Sequence, residues 1–497
     1  MKQNILLYGN LYLTSFIFIH ALRRLLSDYP AETQNFHFHL ILDDRRDRDL
    51  AASLLPRDRV TLYAQYEECH PWDRNRAWPV AIVQAWERRY GSPHLKVYTA
   101  SERILAGRSE EERQRYLLSQ IEYFEGHIRR LNPSLFICGQ AGSLPPWVAI
   151  KVFQENSIPT LIVSCSRFEN RCFTPADPHE RLQVETLYHE KQQSGLSEEE
   201  HQTVETIFHQ YRTKRAKPVE FRPIRKAIQP KWIPRPNRFL HTLWEYACTD
   251  RRYYDEPLSA ILLRALKSRR SWVYDRILKP CMLRQIPSEP RFFFFPLQVE
   301  PEMSLSTQGR GWMNQLELIR LISECLPIDR WLYVKEHPMM ASGLRPFGFY
   351  REMLRLPRVK LLHQGLDSYA VVPHAEAVIT IGSTAGWEAL MFGKPVLLIG
   401  HAFYEEFREG VICLNELESL PRLLRQMRSH RFSNDAFRAF TAAVLTKAPR
   451  GFLAEPRFFP ALMNPVMDNV EGFVDLFLSR ISELHVPLPE VVKNSGR

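Results

Sequence analysis

Short apolar runs alternate with helix-period segments twice along this 497-residue chain, and that alternation limits its possible folds more than any other feature. In the first pass, residues 5–8, 36–42, 60–64, 135–138 and 160–163 read as strands. Helical spacing fills residues 16–26, 113–131 and 147–154, and in the second of these Tyr116, Ile121, Tyr123 and Ile128 are the apolar positions. Strands separated by helices cannot pair as hairpins. They build a parallel sheet covered by helices on both faces.

The pattern breaks over residues 185–286, which are helix-prone and charged, then rich in Pro and Arg (Pro218, Pro223, Pro230, Pro234, Pro236), with no convincing strand. It resumes at Arg291. Residues 292–295, 331–335, 359–362, 377–381 and 396–399 read as strands, with helices at 313–325, 367–372 and 385–392. Gly393 and Pro395 sit where a helix stops and the next strand begins. The expected domains are a Rossmann-like domain over 1–184, a helical insertion or linker over 185–286, and a second Rossmann-like domain over 287–465. Residues 466–497 hold a final helix expected to cross back to the first domain, and a tail. The expected fold class is therefore α/β and GT-B-like, the tandem arrangement of two-domain glycosyltransferases with a cleft between the domains.

The composition, 45% hydrophobic and 25% charged, suits a folded globular protein. The net charge of +10 favours anionic partners such as nucleotide phosphates, acidic glycans or anionic lipid. The basic residues are scattered and no nucleic-acid-binding module is recognisable, so nucleic acid is not an expected partner. The eight cysteines include no CxxC pair and several lie in apolar runs, which favours buried thiols in a reduced cytoplasmic protein over disulfides or zinc. The apolar core near the N-terminus is too short for a signal peptide, and no run of about 18 apolar residues is present. Peripheral contact with the inner face of the membrane stays open.

Ligands of open parallel sheets collect beyond the carboxyl ends of the strands, which puts three segments of the second domain on one rim. Gly382-Ser383-Thr384-Ala385-Gly386 lies between a strand and a helix, where small residues, free N–H groups and the helix dipole suit an anion. The equal alternative is that Ser383 or Thr384 merely caps that helix. Lys335-Glu336-His337-Pro338 leaves a second strand, and His337 could reach a phosphate or a base edge. The third segment runs from Phe295 through Gln298 to Glu302. Glu388, one turn into the helix, could accept ribose hydroxyls or simply favour the helix dipole.

Together, the runs FPLQVEPEMS, WLYVKEHPMM and ITIGSTAGWEALMFGKPVLLIGHAFY resemble the capsule polysaccharide biosynthesis family, the group that includes bacterial capsule Kdo transferases. The resemblance covers roughly residues 292–403, is loose over the first domain, and does not extend to the helical insertion. It implies a GT-B fold and transfer of a sugar, from a CMP-linked, Kdo-like donor, to a lipid-linked glycan. It assigns the HP motif to His337 and Pro338 and the Ser/Thr motif to Ser383 and Thr384. Gln298, Lys335, Gly382 and Glu388 complete the expected donor-binding set.

Any catalytic carboxylate should then come from the first domain, in the loop after its 160–163 strand. Glu169 is the first candidate and Asp177 the second, to deprotonate an acceptor hydroxyl or act as nucleophile. A solvated Arg167–Glu169–Arg171 cluster is the plain alternative. Asn10 and Gln140 are further strand-exit residues, equally readable as turn residues. No cofactor or metal is expected, since the DxD match Asp47-Arg48-Asp49 reads as a solvated turn. A UDP-sugar epimerase of the same architecture and a non-catalytic capsule-assembly scaffold are the competing readings.

Overall fold

The computed structural model describes residues 2–9, 14–43, 45–63, 78–91, 95–100, 102, 105, 107–214, 276–286, 288, 291–300, 302–312, 314–337, 340, 345–363, 366–453 and 463–484. The strands are β1 (Gln3–Gly9), β2 (Phe36–Leu42), β3 (Val60–Leu62), β4 (Leu135–Gly139), β5 (Thr160–Cys165) and β6 (Cys172–Phe173) in the first sheet. The second sheet comprises β7 (Met282–Leu283), β8 (Phe292–Pro296), β9 (Trp331–Lys335), β10 (Val359–Leu362), β11 (Ala377–Thr380), β12 (Val396–Leu398) and β13 (Val411–Cys413).

The first sheet has the order β3-β2-β1-β4-β5-β6, parallel except for β6. The second has the order β13-β12-β11-β8-β9-β10-β7 and is parallel throughout. This is a GT-B-like α/β fold with two Rossmann-like sheets. Edge strand β7 corrects the expectation that residues 185–286 hold no strand: Met282 and Leu283 pair with Leu361 and Leu362. Their run is too short to stand out by periodicity.

The four consecutive phenylalanines of β8 show why its sequence is unbroken by polar residues. Phe292 and Phe294 face the core shared with Tyr333 and Trp387, while Phe293 and Phe295 face the core shared with Leu332 and Val334. A central parallel strand is buried on both sides, so both of its alternating faces must be apolar. Strand β1 follows the same rule, with Ile5 and Leu7 on one face and Leu6 and Tyr8 on the other.

Local signals also set the helix ends. Ser109 accepts from the Glu112 N–H at 3.2 Å, and the Glu112 carboxylate accepts from the Ser109 N–H at 2.9 Å. This capping box starts the helix Glu110–Leu131. The DxD expectation fails here, because Asp47 is buried and lies on the helix Arg45–Ala52 rather than in a solvated turn.

The domains exchange elements. The helices Glu185–Ser194 and Glu198–Lys214 pack on the second domain, where Tyr188 meets Phe440 at 5.5 Å and Phe208 stacks on Phe437 at 5.3 Å. These two helices thus share the second domain's hydrophobic core. Conversely, the helix Val470–Glu483 packs on the first domain's Ser15–Asp28, with Phe477 5.5 Å from Phe18. The two crossings touch: the Cys172 N–H donates to Pro449 O at 3.1 Å and the Gly451 N–H to Asn170 O at 3.2 Å.

Candidate functional site

Three strand exits of the second domain are bound into one polar cluster. Past β8, the Gln298 amide oxygen accepts the N–H groups of Gly382 at 3.2 Å and Ser383 at 3.1 Å, an orientation that satisfies both amide ends. Gln298 is thereby the strut that joins the β8 exit to the β11 exit. Its own backbone is held by Gln315, whose Oε1 accepts from Gln298 N at 2.7 Å and whose Nε2 donates to Gln298 O at 3.1 Å.

The β9 exit enters the same cluster through Glu336 and Arg345. Arg345 Nε donates to Glu336 Oε2 at 2.9 Å, Nη2 donates to Gln298 O at 2.7 Å, and Nη1 pairs with Glu300. Tyr350 donates to Glu336 Oε2 at 2.7 Å, and the His337 N–H donates to Glu336 Oε1 at 2.7 Å. Arg345 is 1% exposed. A guanidinium so buried is tolerable only because carboxylates and a carbonyl take its donors. Glu336 is thus the support on which the His337 backbone rests.

In the loop after β11, Ser383 caps a helix. Its Oγ accepts from Ala385 N at 3.3 Å and from Thr380 Oγ1 at 2.9 Å, so Ser383 is the N-cap of the helix Thr384–Met391. The Gly382 and Ser383 N–H groups, expected to be free for an anion, are taken by Gln298, and Ser383 N also by Thr380 Oγ1 at 3.1 Å. Thr384 is exposed at the first helical position. Gly382 is required: a Cβ there would stand 2.6 Å from His401 O. Gly386 likewise admits the Tyr404 hydroxyl, which donates to Ser383 O at 2.7 Å.

Of the expected donor-binding residues, Gln298, Lys335 and Glu388 are buried, while Gly382, Ser383 and His337 are half-buried. Pro338 lies outside the described residues, as does Asn10. Gln140 turns inward, accepting the Cys165 N–H at 3.1 Å. Among the described residues no group of three or more His, Cys, Asp or Glu is gathered to hold a metal.

The first domain's loop after β5 reaches this rim. Phe168 packs edge-on against Trp387 at 5.9 Å, Phe173 lies 4.9 Å from Phe403, and His179 lies 5.0 Å from His401. His179 Nδ1 donates to Thr307 O, and burial holds its pKa below the usual histidine value. His401 bridges Glu405, 2.8 Å from its Nδ1, and Arg310 Nε, 3.2 Å from its Nε2. The two expected carboxylates are poorly placed. Glu169 is exposed beside Asn170. Asp177 is paired with Arg181 and accepts the His179 N–H at 2.9 Å.

Glu180, half-buried on the same loop with a backbone φ of 65°, has its pKa pushed up by burial, with the nearby Arg167 acting the other way. His401 was not singled out in the sequence, although it follows the exit of β12 just as His337 follows β9. Arg345 and Tyr350 carried no such signal, because they come from outside the three strand exits.

This rim falls within a recognised family segment. The model of the capsule polysaccharide biosynthesis protein family matches residues 205–436. The match spans all three exits and Arg345, and it extends the resemblance back to the helix Glu198–Lys214. The capsule polysaccharide export protein KpsS of Escherichia coli is 27% identical over 146 residues, 27% of this chain and 35% of that protein. Protein FixF of Sinorhizobium fredii is 31% identical over 121 residues, 23% of this chain and 28% of that protein. The chain thus aligns with about a third of the length of these curated relatives. Among solved structures, the beta Kdo 2,7 transferase KpsC of Thermosulfurimonas dismutans aligns at a TM-score of 0.37 and 13% identity, over 72% of this chain and 89% of that one. UDP-GlcNAc 2-epimerase of Methanocaldococcus jannaschii aligns at 0.25 and 13%, over 90% and 99%.

Among the described residues no helix is long and apolar enough to cross a membrane. The described cysteines, at 138, 165, 172, 281, 325 and 413, are all free thiols.

Proposed function

We propose that this chain is a glycosyltransferase of bacterial surface-polysaccharide assembly, moving a sugar from a CMP-linked, Kdo-like donor to a lipid-linked glycan. The observation that carries the reading is the braced rim: the β8, β9 and β11 exits are locked together by Gln298, Glu336 and Arg345. They leave Thr384 exposed at a helix N-terminus, opposite a loop of the first domain. A rigid helix N-terminus is suited to the charge that develops on a departing nucleotide phosphate. In this reading His337 and Thr384 contact the donor, Gln298 and Gly382 shape its loop, and Lys335 and Glu388 support it from beneath. The helix terminus and basic side chains, rather than a cation, carry the leaving charge.

The test is a thermal-shift panel of CMP, UDP, GDP and their sugars. CMP and CMP-Kdo should raise the melting temperature of the wild-type protein, and His337→Ala and Thr384→Ala should each weaken that response. Stabilisation by UDP-GlcNAc with turnover in the absence of any acceptor would replace this reading with an epimerase. No response to any nucleotide would favour a non-catalytic part in capsule assembly or export, the role printed in the name of the Escherichia coli relative.

A further inference from the structure

Two of the described thiols stand opposite each other at the junction of the domains. The loop after β5 leaves at Cys165 and returns at Cys172, and the register of β5 and β6 pairs these two residues directly across an antiparallel ladder. Directly opposite residues of such a ladder project to the same face. Both cysteines do meet one hydrophobic core: Cys172 is a buried member of it with Val163 and Phe473, and Cys165 packs against it. Their backbone N–H groups point away from the pairing. The Cys165 N–H donates to Gln140 Oε1 at 3.1 Å, and the Cys172 N–H donates to Pro449 O at 3.1 Å. The two residues therefore form a non-hydrogen-bonded pair, the kind whose Cα atoms lie only about 4.5 Å apart and whose side chains come closest. A disulfide bridges Cα separations of roughly 4.4–6.8 Å. Rotation of the side chains is then enough to join the two sulfurs.

We propose that Cys165 and Cys172 are a redox-active dithiol whose disulfide closes residues 165–172 into a ring. Cys165 is half-buried and meets an oxidant first, while Cys172 is fully buried behind it. In the step, the Cys165 sulfur attacks oxidised glutathione, forms a mixed disulfide and releases one glutathione thiol. The Cys172 sulfur, giving up its 3.9 Å contact with Pro449 O, then attacks the Cys165 sulfur and expels the second glutathione. The protein loses two S–H bonds and gains one S–S bond. Both protons and both electrons end on the two glutathione thiols. Where glutathione keeps thiols reduced, such a bond forms transiently and senses oxidation.

The ring encloses the residues by which the two domains touch. Phe168 packs on Trp387 at 5.9 Å, Arg171 Nη1 donates to Ala448 O at 2.7 Å, and the Gly451 N–H donates to Asn170 O at 3.2 Å. Within the loop, Ser166 Oγ donates to Arg171 O at 2.7 Å and accepts the Phe168 N–H at 3.0 Å. A covalent clamp on both ends removes open states of this segment, so oxidation braces the junction. The proposal is independent of the transferase reading.

The experiment equilibrates the full chain in glutathione buffers of increasing oxidised fraction, alkylates the remaining thiols and digests with trypsin. Cleavage after Lys151, Arg167, Arg171 and Arg181 puts Cys165 and Cys172 in separate peptides, so residues 152–167 and 172–181 stay together only through a disulfide. The linked peptide should appear as the oxidised fraction rises, with loss of both alkylated cysteines, and should vanish on treatment with dithiothreitol. Amide hydrogen exchange over residues 166–171 should slow in the oxidised protein and stay unchanged in Cys165→Ser treated in the same way. The exposed Cys281 reports through its own glutathione adduct that the oxidant is active. Modified Cys281 without the 152–167 to 172–181 link, or a glutathione adduct that persists on Cys165, overturns the dithiol. A link that forms without slower exchange across 166–171 overturns the bracing.

Discussion

Arg345 Nε sits 2.9 Å from Glu336 Oε2, with Arg345 1% and Glu336 5% exposed, and this buried pair ties the β9 exit to the β8 exit. The same guanidinium reaches Gln298 O and Glu300, so removing it leaves two carboxylates and a carbonyl short of a donor. Arg345→Ala should destabilise the protein by about 3–5 kcal/mol in denaturant unfolding. Arg345→Met with Glu336→Gln should recover part of that loss. A change below about 1 kcal/mol for Arg345→Ala would show that the cluster is not the brace described.

Gln298→Ala should act on the loop it supports. Without the amide oxygen, the Gly382 N–H loses its described acceptor, while Ser383 keeps Thr380. A buried donor left without a partner costs about 1–3 kcal/mol. The melting temperature should fall and nucleotide response should weaken together, both readable in the same thermal-shift assay.

Ser383 and Thr384 should separate, although they are adjacent. Ser383→Ala removes an N-cap and costs about 1 kcal/mol of stability. Thr384→Ala, at an exposed first-turn position, should leave unfolding within about 0.5 kcal/mol of wild type while weakening donor binding. Equal stability losses in the two variants would contradict the capping assignment.

Stability should decline below neutral pH through two histidines of the first domain. Burial, then Arg130, lowers His127 to about 3, and burial, then Arg59, lowers His39 to about 4, both from 6.5. Between those values and 6.5 the unfolded chain binds protons that the folded chain does not. Their contribution is therefore fully present above about pH 6.5 and is lost as pH falls toward 4 and then 3. The urea midpoint should drop from pH 7 to pH 5, and His127→Phe should flatten that slope.

Much of the fold was written in local pattern. Phe292 to Phe295 and Ile5 to Tyr8 announce strands buried on both faces, because a central parallel strand admits no polar face. The strand-exit rule was enough to bring Gln298, His337 and the Gly382–Ser383–Thr384 loop to one rim. Strand β7 escaped because two residues show no period.

Residue roles at the site were decided by the tertiary structure. Ser383 and Gln298 look like ligand-binding residues in sequence, and the structure shows the Ser383 Oγ capping a helix and the Gln298 amide oxygen holding two loop N–H groups. Arg345 becomes a brace only because the chain returns it between Glu336 and Gln298. Glu169 and Asp177 have the right chemistry in the right loop, but one is exposed and the other is paired with Arg181. Periodicity reports which faces are apolar and therefore determined the sheets. It carries no information on which distant polar groups meet, and that depends on how the two sheets and their crossing helices pack.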